Sequence, residues 1–118
     1  MKIFRFNPET GKRIDRYGSS GFIVSRVVQL LEEAFVNCAY LSAGGIIGFH
    51  QAAASQLFLV VQGEGWVRGE TSEKISIQLG QAAYWEDGEW HESGTDAGMT
   101  AIIIEGVNFD PAKLMPLV

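Results

Sequence analysis

Two histidines are the side chains of this sequence best suited to chemistry. His50 and His91 are the only histidines among 118 residues, and a neutral imidazole can bind a transition metal or transfer a proton. Isolated histidines are more often surface groups or hydrogen-bonded core groups, so the residues around them must decide whether they share a site. The single cysteine, Cys38, lies in the apolar run 35–41, where we expect a buried small hydrophobe rather than a reactive thiol.

The elements that would position these side chains are short segments rich in β-branched and aromatic residues. Fourteen glycines and only three prolines punctuate them, which is typical of an antiparallel β domain. Segment 74–79 alternates polar and apolar residues, as does a strand with one wet and one buried face. The other predicted strands are 3–6, 22–30, 34–41, 46–51, 56–61, 65–69, 82–85, 90–93 and 99–105. So many short strands predict a sandwich or barrel.

Length and charge restrict the classes of protein that the chain can represent. A length of 118 residues predicts a single domain, with a barrel core at about 22–106, an N-terminal strand and loop at 1–21, and a tail at 107–118 with one helical turn after Asp110. The net charge is −5, with basic residues mainly near the N-terminus, so we expect no nucleic-acid partner. No segment is typical of a secretion signal or a membrane span, and we expect a soluble, cytoplasmic protein without a membrane partner.

Two stretches of the chain resemble the paired motifs of the cupin superfamily, over about residues 34–105. The first motif is Gly, five residues, His, one residue, His, three or four residues, Glu, six residues, Gly; its positions are filled by Gly44, His50, Ala52, Gln56 and Gly63. The second is Gly, five residues, Pro, one residue, Gly, two residues, His, three residues, Asn; its positions are filled by Gly80, Glu86, Gly88, His91 and Thr95. The resemblance implies an all-β jelly roll, also called a double-stranded β-helix.

The resemblance also implies a metal site that is present only in part. Metal-binding cupins hold one divalent ion with two His and one Glu of the first motif and one His of the second. The matching positions leave His50, Gln56 and His91 as ligands, because the methyl group of Ala52 cannot donate electrons to a metal. A neutral set of this kind predicts a weakly held zinc, nickel, iron or manganese ion, or no metal. Cys38 or Tyr40, on a neighbouring strand, could replace the missing ligand.

A ligand pocket around these positions is predicted from strand alternation. Gly48 and Ala52 should share the face of His50, and small residues there would widen a cavity. Phe58 and Val60 should share the face of Gln56, and we expect His50, Gln56 and His91 to point into one cavity. The acidic residues Glu86, Asp87, Glu89 and Glu92 surround His91 in sequence. They predict a solvated rim or, alternatively, a carboxylate that raises the pKa of His91 and makes it a better proton donor.

Three functions remain open at this point. The first is a protein that binds a small molecule through a partly degenerate metal site. The second is a metal-dependent cupin enzyme, an oxygenase or isomerase of a small organic acid or sugar, and the third is a non-catalytic sensory or regulatory binding module. We also expect a homodimer, since the apolar segments 22–24 and 27–28 need to be covered.

Overall fold

Strands form most of the regular structure of the chain, and this confirms the all-β prediction. The computed structural model describes residues 1–71 and 73–118. Its strands are β1 (Lys2–Arg5), β2 (Lys12–Arg13), β3 (Ile23–Val24), β4 (Ala34–Leu41), β5 (Ile46–Gln51), β6 (Ser55–Arg68), β7 (Ile75–Gln78), β8 (Gln81–Trp85), β9 (Trp90–Gly94) and β10 (Met99–Gly106). Short 3-10 turns span Pro8–Thr10, Arg16–Gly18 and Pro111–Lys113. No helix in the described ranges is long and apolar enough to cross a membrane.

Among the described residues, eight of the ten strands form two antiparallel layers that share the long strand β6, while β2 and β3 pair separately with each other. The first layer has the order β1-β8-β6-β10-β4, and the second joins β7, the end of β6, β9 and β5. Residues 56–59 of β6 pair with β8, whereas residues 64–67 of the same strand pair with β7. Gly63, at φ +77°, lies where β6 passes from one layer to the other, and glycine adopts this backbone conformation without steric cost. The chain therefore has the expected jelly-roll barrel, with its interior between the two layers.

Large apolar side chains fill most of the barrel interior. The buried members of this interior cluster are Phe58, Val60, Val67, Ile77, Ala83, Trp85, Met99 and Ala101. A second cluster covers the outer face of the first layer, with the C-terminal tail packed on it, and its buried members are Phe4, Leu57, Leu59, Ala82, Ile104, Phe109 and Met115. Gln56 and His91 are buried polar residues beside Trp85 at one end of the barrel, whereas Ser93 and Thr95 are buried farther along the chain.

Two strand predictions differ from the structure. Predicted strand 22–30 is confined to β3, because Val27 and Val28 pack against the outer cluster instead of pairing. Predicted strands 56–61 and 65–69 are the single strand β6, which bends at Gly63 without ending. The predicted turn after Asp110 is confirmed, and the Asp110 carboxylate accepts a hydrogen bond from the Ala112 N–H at 2.9 Å.

Two burial predictions are wrong, both at positions where one side of the strand has no covering layer. Cys38 is exposed, because β4 lies at the edge of its sheet and pairs with β10 alone. In segment 74–79 only Ile77 is buried, at 1% exposure, while Ile75 is 39% and Leu79 is 62% exposed. Apolar alternation predicts which face can be buried, but a second layer has to cover that face.

Candidate functional site

The structure brings the two histidines together on neighbouring strands of the second layer. His50 on β5 is the cross-strand partner of His91 on β9, and their ring centroids are 4.4 Å apart at an interplanar angle of 54°. His91 is only 2% exposed, whereas His50 is exposed. His91 is therefore the buried member of the pair and His50 the exposed one.

A register shift in β5 sets the direction of the His50 side chain. Ile47 pairs with Ser93 and His50 with His91, so one extra residue is accommodated between Ile47 and His50. Such a bulge places Ile47 on the face of His50 and interrupts simple alternation. Ile47 indeed packs against the interior cluster. Gly48 is exposed, with no heavy atom within 4 Å of the Cβ that another residue would place there, so the alternation from which Gly48 was predicted to line the pocket does not hold at this position.

Hydrogen bonds fix the tautomer of both imidazoles. His50 Nδ1 lies 2.6 Å from the carbonyl oxygen of Gly48, and His91 Nδ1 lies 3.3 Å from that of Glu89. A carbonyl oxygen can only accept, so we assign a proton to Nδ1 in each ring, and in the neutral ring this leaves a lone pair on Nε2. Histidines that bind metals in proteins commonly have this arrangement, with the other ring nitrogen donating to a carbonyl or carboxylate.

His91 is held in a neutral form by its surroundings. The indole of Trp85 stacks on the ring at a centroid distance of 4.5 Å, and among the described residues neither His91 Nε2 nor Trp85 Nε1 has a hydrogen-bond partner. Burial lowers the pKa of His91, whereas the Glu89 backbone and the carboxylates of Glu89 and Glu105 oppose this change. The net effect lowers the pKa of His91, which is the opposite of the alternative prediction that a nearby carboxylate raises it.

A row of side chains on the first layer faces the histidine pair. Phe35 pairs with Glu105, Glu105 with Gln56, and Gln56 with Trp85, across strands β4, β10, β6 and β8. Residues directly opposite one another share one face of a sheet, and Trp85 in this row stacks on His91. We call these four residues the facing row. Gln56 is 7% exposed, and its Nε2 donates to Glu105 Oε1 at 3.2 Å.

Glu105 is the residue of this site that the sequence reasoning missed. Its carboxylate is half-buried and close enough to His91 to affect the pKa of that imidazole. A signal for it was present in the sequence, because Glu105 continues the alternation of Met99, Ala101 and Ile103, all of which contribute to the interior cluster. A carboxylate in phase with buried positions of a strand points inward.

The remaining predicted pocket residues lie deeper in the barrel or at its end. Ala52 is 4% exposed, and its N–H donates to the Glu89 carbonyl at 3.0 Å, which continues the β5–β9 pairing beyond the histidines. Phe58 and Val60 are 1% and 0% exposed, within the interior cluster. They pack the core below the facing row, and contact of these residues with a ligand stays a prediction, as does one cavity shared by His50, Gln56 and His91.

The alternative metal ligands lie on the wrong face of β4. The register of β4 with β10 is continuous, with Phe35 opposite Glu105 and Cys38 opposite Ile102. Cys38 and Tyr40 are therefore on the opposite face from Phe35, turned away from the histidine pair. Neither can replace the ligand missing at Ala52.

The acidic residues near His91 in sequence mostly surround a different surface. Glu86, Asp87 and Glu89 line a cleft of about 750 Å³ beside β1, which does not include either histidine. Glu92 pairs with Arg68 at 2.7 Å on the outer face of the second layer. The carboxylates that act on His91 are those of Glu89 and Glu105, and only Glu105 lies in the facing row.

The donor atoms present could hold a metal ion only weakly. Within residues 1–71 and 73–118, no group of three or more His, Cys, Asp or Glu side chains is arranged to hold a metal ion. Two imidazole Nε2 atoms remain, with the amide oxygen of Gln56, whose amide nitrogen donates to Glu105. This set fits a transition metal in ligand type but falls short of a closed site in ligand number.

Comparison with solved structures identifies the fold. The chain is similar to a cupin superfamily protein from Desulfitobacterium hafniense, with a TM-score of 0.60 and 12% identity over 76% of this chain and 82% of the other. It is similar to a cupin-2 domain protein from Shewanella frigidimarina, with a TM-score of 0.55 and 18% identity over 68% and 76% of the two chains. A predicted oxalate decarboxylase from Thermotoga maritima gives a TM-score of 0.54 and 17% identity over 58% of this chain and 62% of that one.

Sequence comparison alone adds nothing to this result. No protein-family model matches the sequence, and no curated protein matches it either. This chain spans only 62% of the length of the Thermotoga protein, and identities below one fifth carry information about the fold rather than the activity. The two motif histidines, the two-layer barrel and the structural neighbours agree on one conclusion: this protein has the cupin fold.

Proposed function

We propose that this protein binds a small molecule at the end of its barrel, through His50, His91 and the facing row. The observation that carries the proposal is the pair of backbone carbonyls that hold both Nδ1 protons and leave both Nε2 atoms with lone pairs, in rings whose centroids are 4.4 Å apart. One of these atoms, His91 Nε2, is buried without a partner in the described chain. An unpaired buried polar atom costs free energy that a bound ligand can recover.

Each residue of the site has a distinct part in the proposed binding. We expect a ligand that enters from solvent to meet the exposed ring of His50 before the buried ring of His91. Gln56 holds the Glu105 carboxylate in place with a hydrogen bond of 3.2 Å. Phe58 contacts Trp85 edge to face at 6.1 Å, so the apolar core below keeps water from the floor of the site.

A weakly held divalent transition metal is the cofactor we propose for this site. His50 and His91 would hold it through Nε2, with Gln56 as a further oxygen donor. When bound, such an ion would supply positive charge and polarise a ligand oxygen. The missing imidazole at Ala52 and the absence of a carboxylate at Gln56 both lower the expected affinity.

A metal-dependent enzyme is the second candidate function. The tautomers of His50 and His91 favour it, because this arrangement is common in ligating histidines. The structural similarity to a predicted oxalate decarboxylase is consistent with an enzyme that acts on a small organic acid. The reaction class would be that of an oxygenase or isomerase of a small organic acid or sugar. A sensory or regulatory module without catalysis would use the same site for binding alone.

Metal analysis and titration distinguish these functions. Protein purified without an affinity tag is analysed for metal and then titrated calorimetrically with Ni²⁺, alongside His50→Ala and His91→Ala. We expect each variant to bind Ni²⁺ about tenfold more weakly, equivalent to about 1.4 kcal/mol. Gln51→Ala is the matched control, because Gln51 adjoins His50 but its side chain donates to the Gly88 carbonyl instead.

The outcomes separate the candidates clearly. Stoichiometric metal that is lost in His50→Ala favours the enzyme, and a weakly binding site favours the small-molecule binding protein. If both histidine variants bind Ni²⁺ as tightly as the wild type, the histidine pair is not the site, and the proposal is contradicted.

A further inference from the structure

The polar atoms that the two histidines and Glu105 can offer to a ligand are hydrogen-bond acceptors. His50 Nε2 and His91 Nε2 carry lone pairs, because the Nδ1 atoms hold the protons against backbone carbonyls. The Glu105 carboxylate can only accept, and the Gln56 amide occupies one of its two oxygens. The indole N–H of Trp85 is a neutral donor that is buried without a partner among the described residues, and it brings no charge to the site.

An exposed aromatic side chain flanks these acceptors. Phe35 is the cross-strand neighbour of Glu105, and it is 77% exposed on the edge strand β4. Within the described residues β4 pairs with β10 and β5 pairs with β9, so the barrel is open between β4 and β5. A carboxylate beside an aromatic face is a combination that attracts organic cations.

The charge around the site disfavours an anionic ligand. The facing row contains one carboxylate and no Lys or Arg, and the acidic cleft of Glu86, Asp87 and Glu89 lies nearby in the chain. A ligand carboxylate would meet Glu105 and two lone pairs without a charged donor to offset their repulsion. A primary ammonium group has three N–H donors and a positive charge, so it complements the two imidazoles and the carboxylate.

We propose that the ligand of this site in the metal-free protein is a small primary ammonium compound, whose nitrogen takes the place of the metal ion against Glu105 and the Nε2 atoms of His50 and His91 and whose carbon chain lies on Phe35. This inference rests on the proposed binding function of the same site and specifies the class of ligand. His91 supports the placement, since it is 2% exposed and its Nε2 has no partner among the residues described.

Three probes of one shape test the inference: propylammonium, propionate and 1-propanol. Each is titrated into metal-free protein at constant ionic strength and about pH 7.5, where the amine is charged and the acid is ionised. Binding is followed by the backbone amide NMR shifts of His50, Gln56 and Glu105. We expect propylammonium to bind about tenfold more tightly than propionate, with 1-propanol also weaker than the amine.

Paired carboxylate variants show whether Glu105 recognises the charge. We expect Glu105→Gln to weaken propylammonium binding by about tenfold. The control Glu64→Gln makes the same charge change at an exposed position on the second half of β6, and we expect it to alter binding by less than about twofold. Circular dichroism of both variants confirms that they are folded.

The results distinguish this inference from the proposed function. If propionate binds more tightly than propylammonium, and His50→Ala removes that binding, the ligand class is wrong while the histidine site stands. If propylammonium binding is equally weakened by both Glu variants, or by neither, Glu105 does not recognise the ligand and the inference is overturned. If none of the three probes binds, the inference is also overturned. The Ni²⁺ titration then tests the proposed function independently.

Discussion

Restoring the missing imidazole is the most informative change at this site. Ala52 occupies the second histidine position of the first cupin motif, and its N–H donates to the Glu89 carbonyl at 3.0 Å. That bond continues the antiparallel pairing of β5 and β9 past the His50–His91 pair, and it places residue 52 two positions beyond His50, just after β5 ends. We expect Ala52→His to bring a third imidazole beside the other two, and therefore to tighten the binding of Ni²⁺ or Zn²⁺.

Two opposing effects set the stability of Ala52→His. The larger buried side chain destabilises the fold, and a bound metal ion stabilises it. Ala52 is 4% exposed, and inserting a larger side chain into a packed site costs about 1–3 kcal/mol. For a domain of this size each kcal/mol lowers the melting temperature by roughly 4 °C. A third ligand should improve metal affinity by about tenfold, or 1.4 kcal/mol, and a metal concentration of about 100 times Kd should restore about 2.7 kcal/mol of stability.

The assay is calorimetric titration of the wild type and Ala52→His with Ni²⁺, with thermal unfolding in chelator and in metal. Ala53→His is the matched control, because it adds the same imidazole at the next, exposed position. We expect the control to leave metal affinity and stability nearly unchanged. Unchanged affinity in a folded Ala52→His protein would refute the reasoning, since residue 52 would then not reach the histidine pair.

Three further predictions concern stability, pH and assembly. Phe58→Ala should lower the free energy of unfolding by about 3–5 kcal/mol, because Phe58 is 1% exposed; a loss below about 1 kcal/mol in urea unfolding would contradict this. Burial lowers the pKa of His91 from 6.5, so folding favours the neutral ring; the stability that this contributes is present above about pH 6.5 and decreases as the pH falls below it. Urea unfolding of metal-free protein across that range should show the decrease, and His91→Gln should reduce it. We also expect a homodimer, since Phe22 and Ile23 are 43% and 47% exposed; sedimentation should show Ile23→Lys shifted toward monomer, and wild type found only as monomer at micromolar concentration would count against the dimer.

The fold could be predicted because strand patterns and motif spacing are local properties of the sequence. The predicted strands 34–41 and 46–51 coincide with β4 and β5. Coverage by a second layer is not local, however, and so the burial of Cys38 and the pairing of Val27 and Val28 were predicted wrongly. The bend of β6 at Gly63 was predicted as a turn between two separate strands, because glycine in a turn and glycine in a bent strand look alike in sequence.

The site could be predicted only in part, for reasons visible at individual residues. The motif spacing identified His50 and His91, which are cross-strand partners in the structure. The bulge in β5 moved Gly48 out of phase, and bulges leave no clear mark in a single sequence. Glu105 belongs to neither motif, but its register with Gln56 makes it part of the facing row. Pairings between distant strands decide such positions, and periodicity within one strand shows only which face a residue occupies.

The central claim is that His50 and His91 both present unprotonated Nε2 atoms to the site. Long-range proton–nitrogen NMR correlation of the metal-free protein, near neutral pH, observes the protonation state of each imidazole nitrogen directly. Because the protein has two histidines, His50→Ala assigns both sets of resonances. We predict the Nδ1–H tautomer in each ring, with His91 neutral at that pH. A proton on Nε2 of either histidine, or a charged His91, would contradict the account.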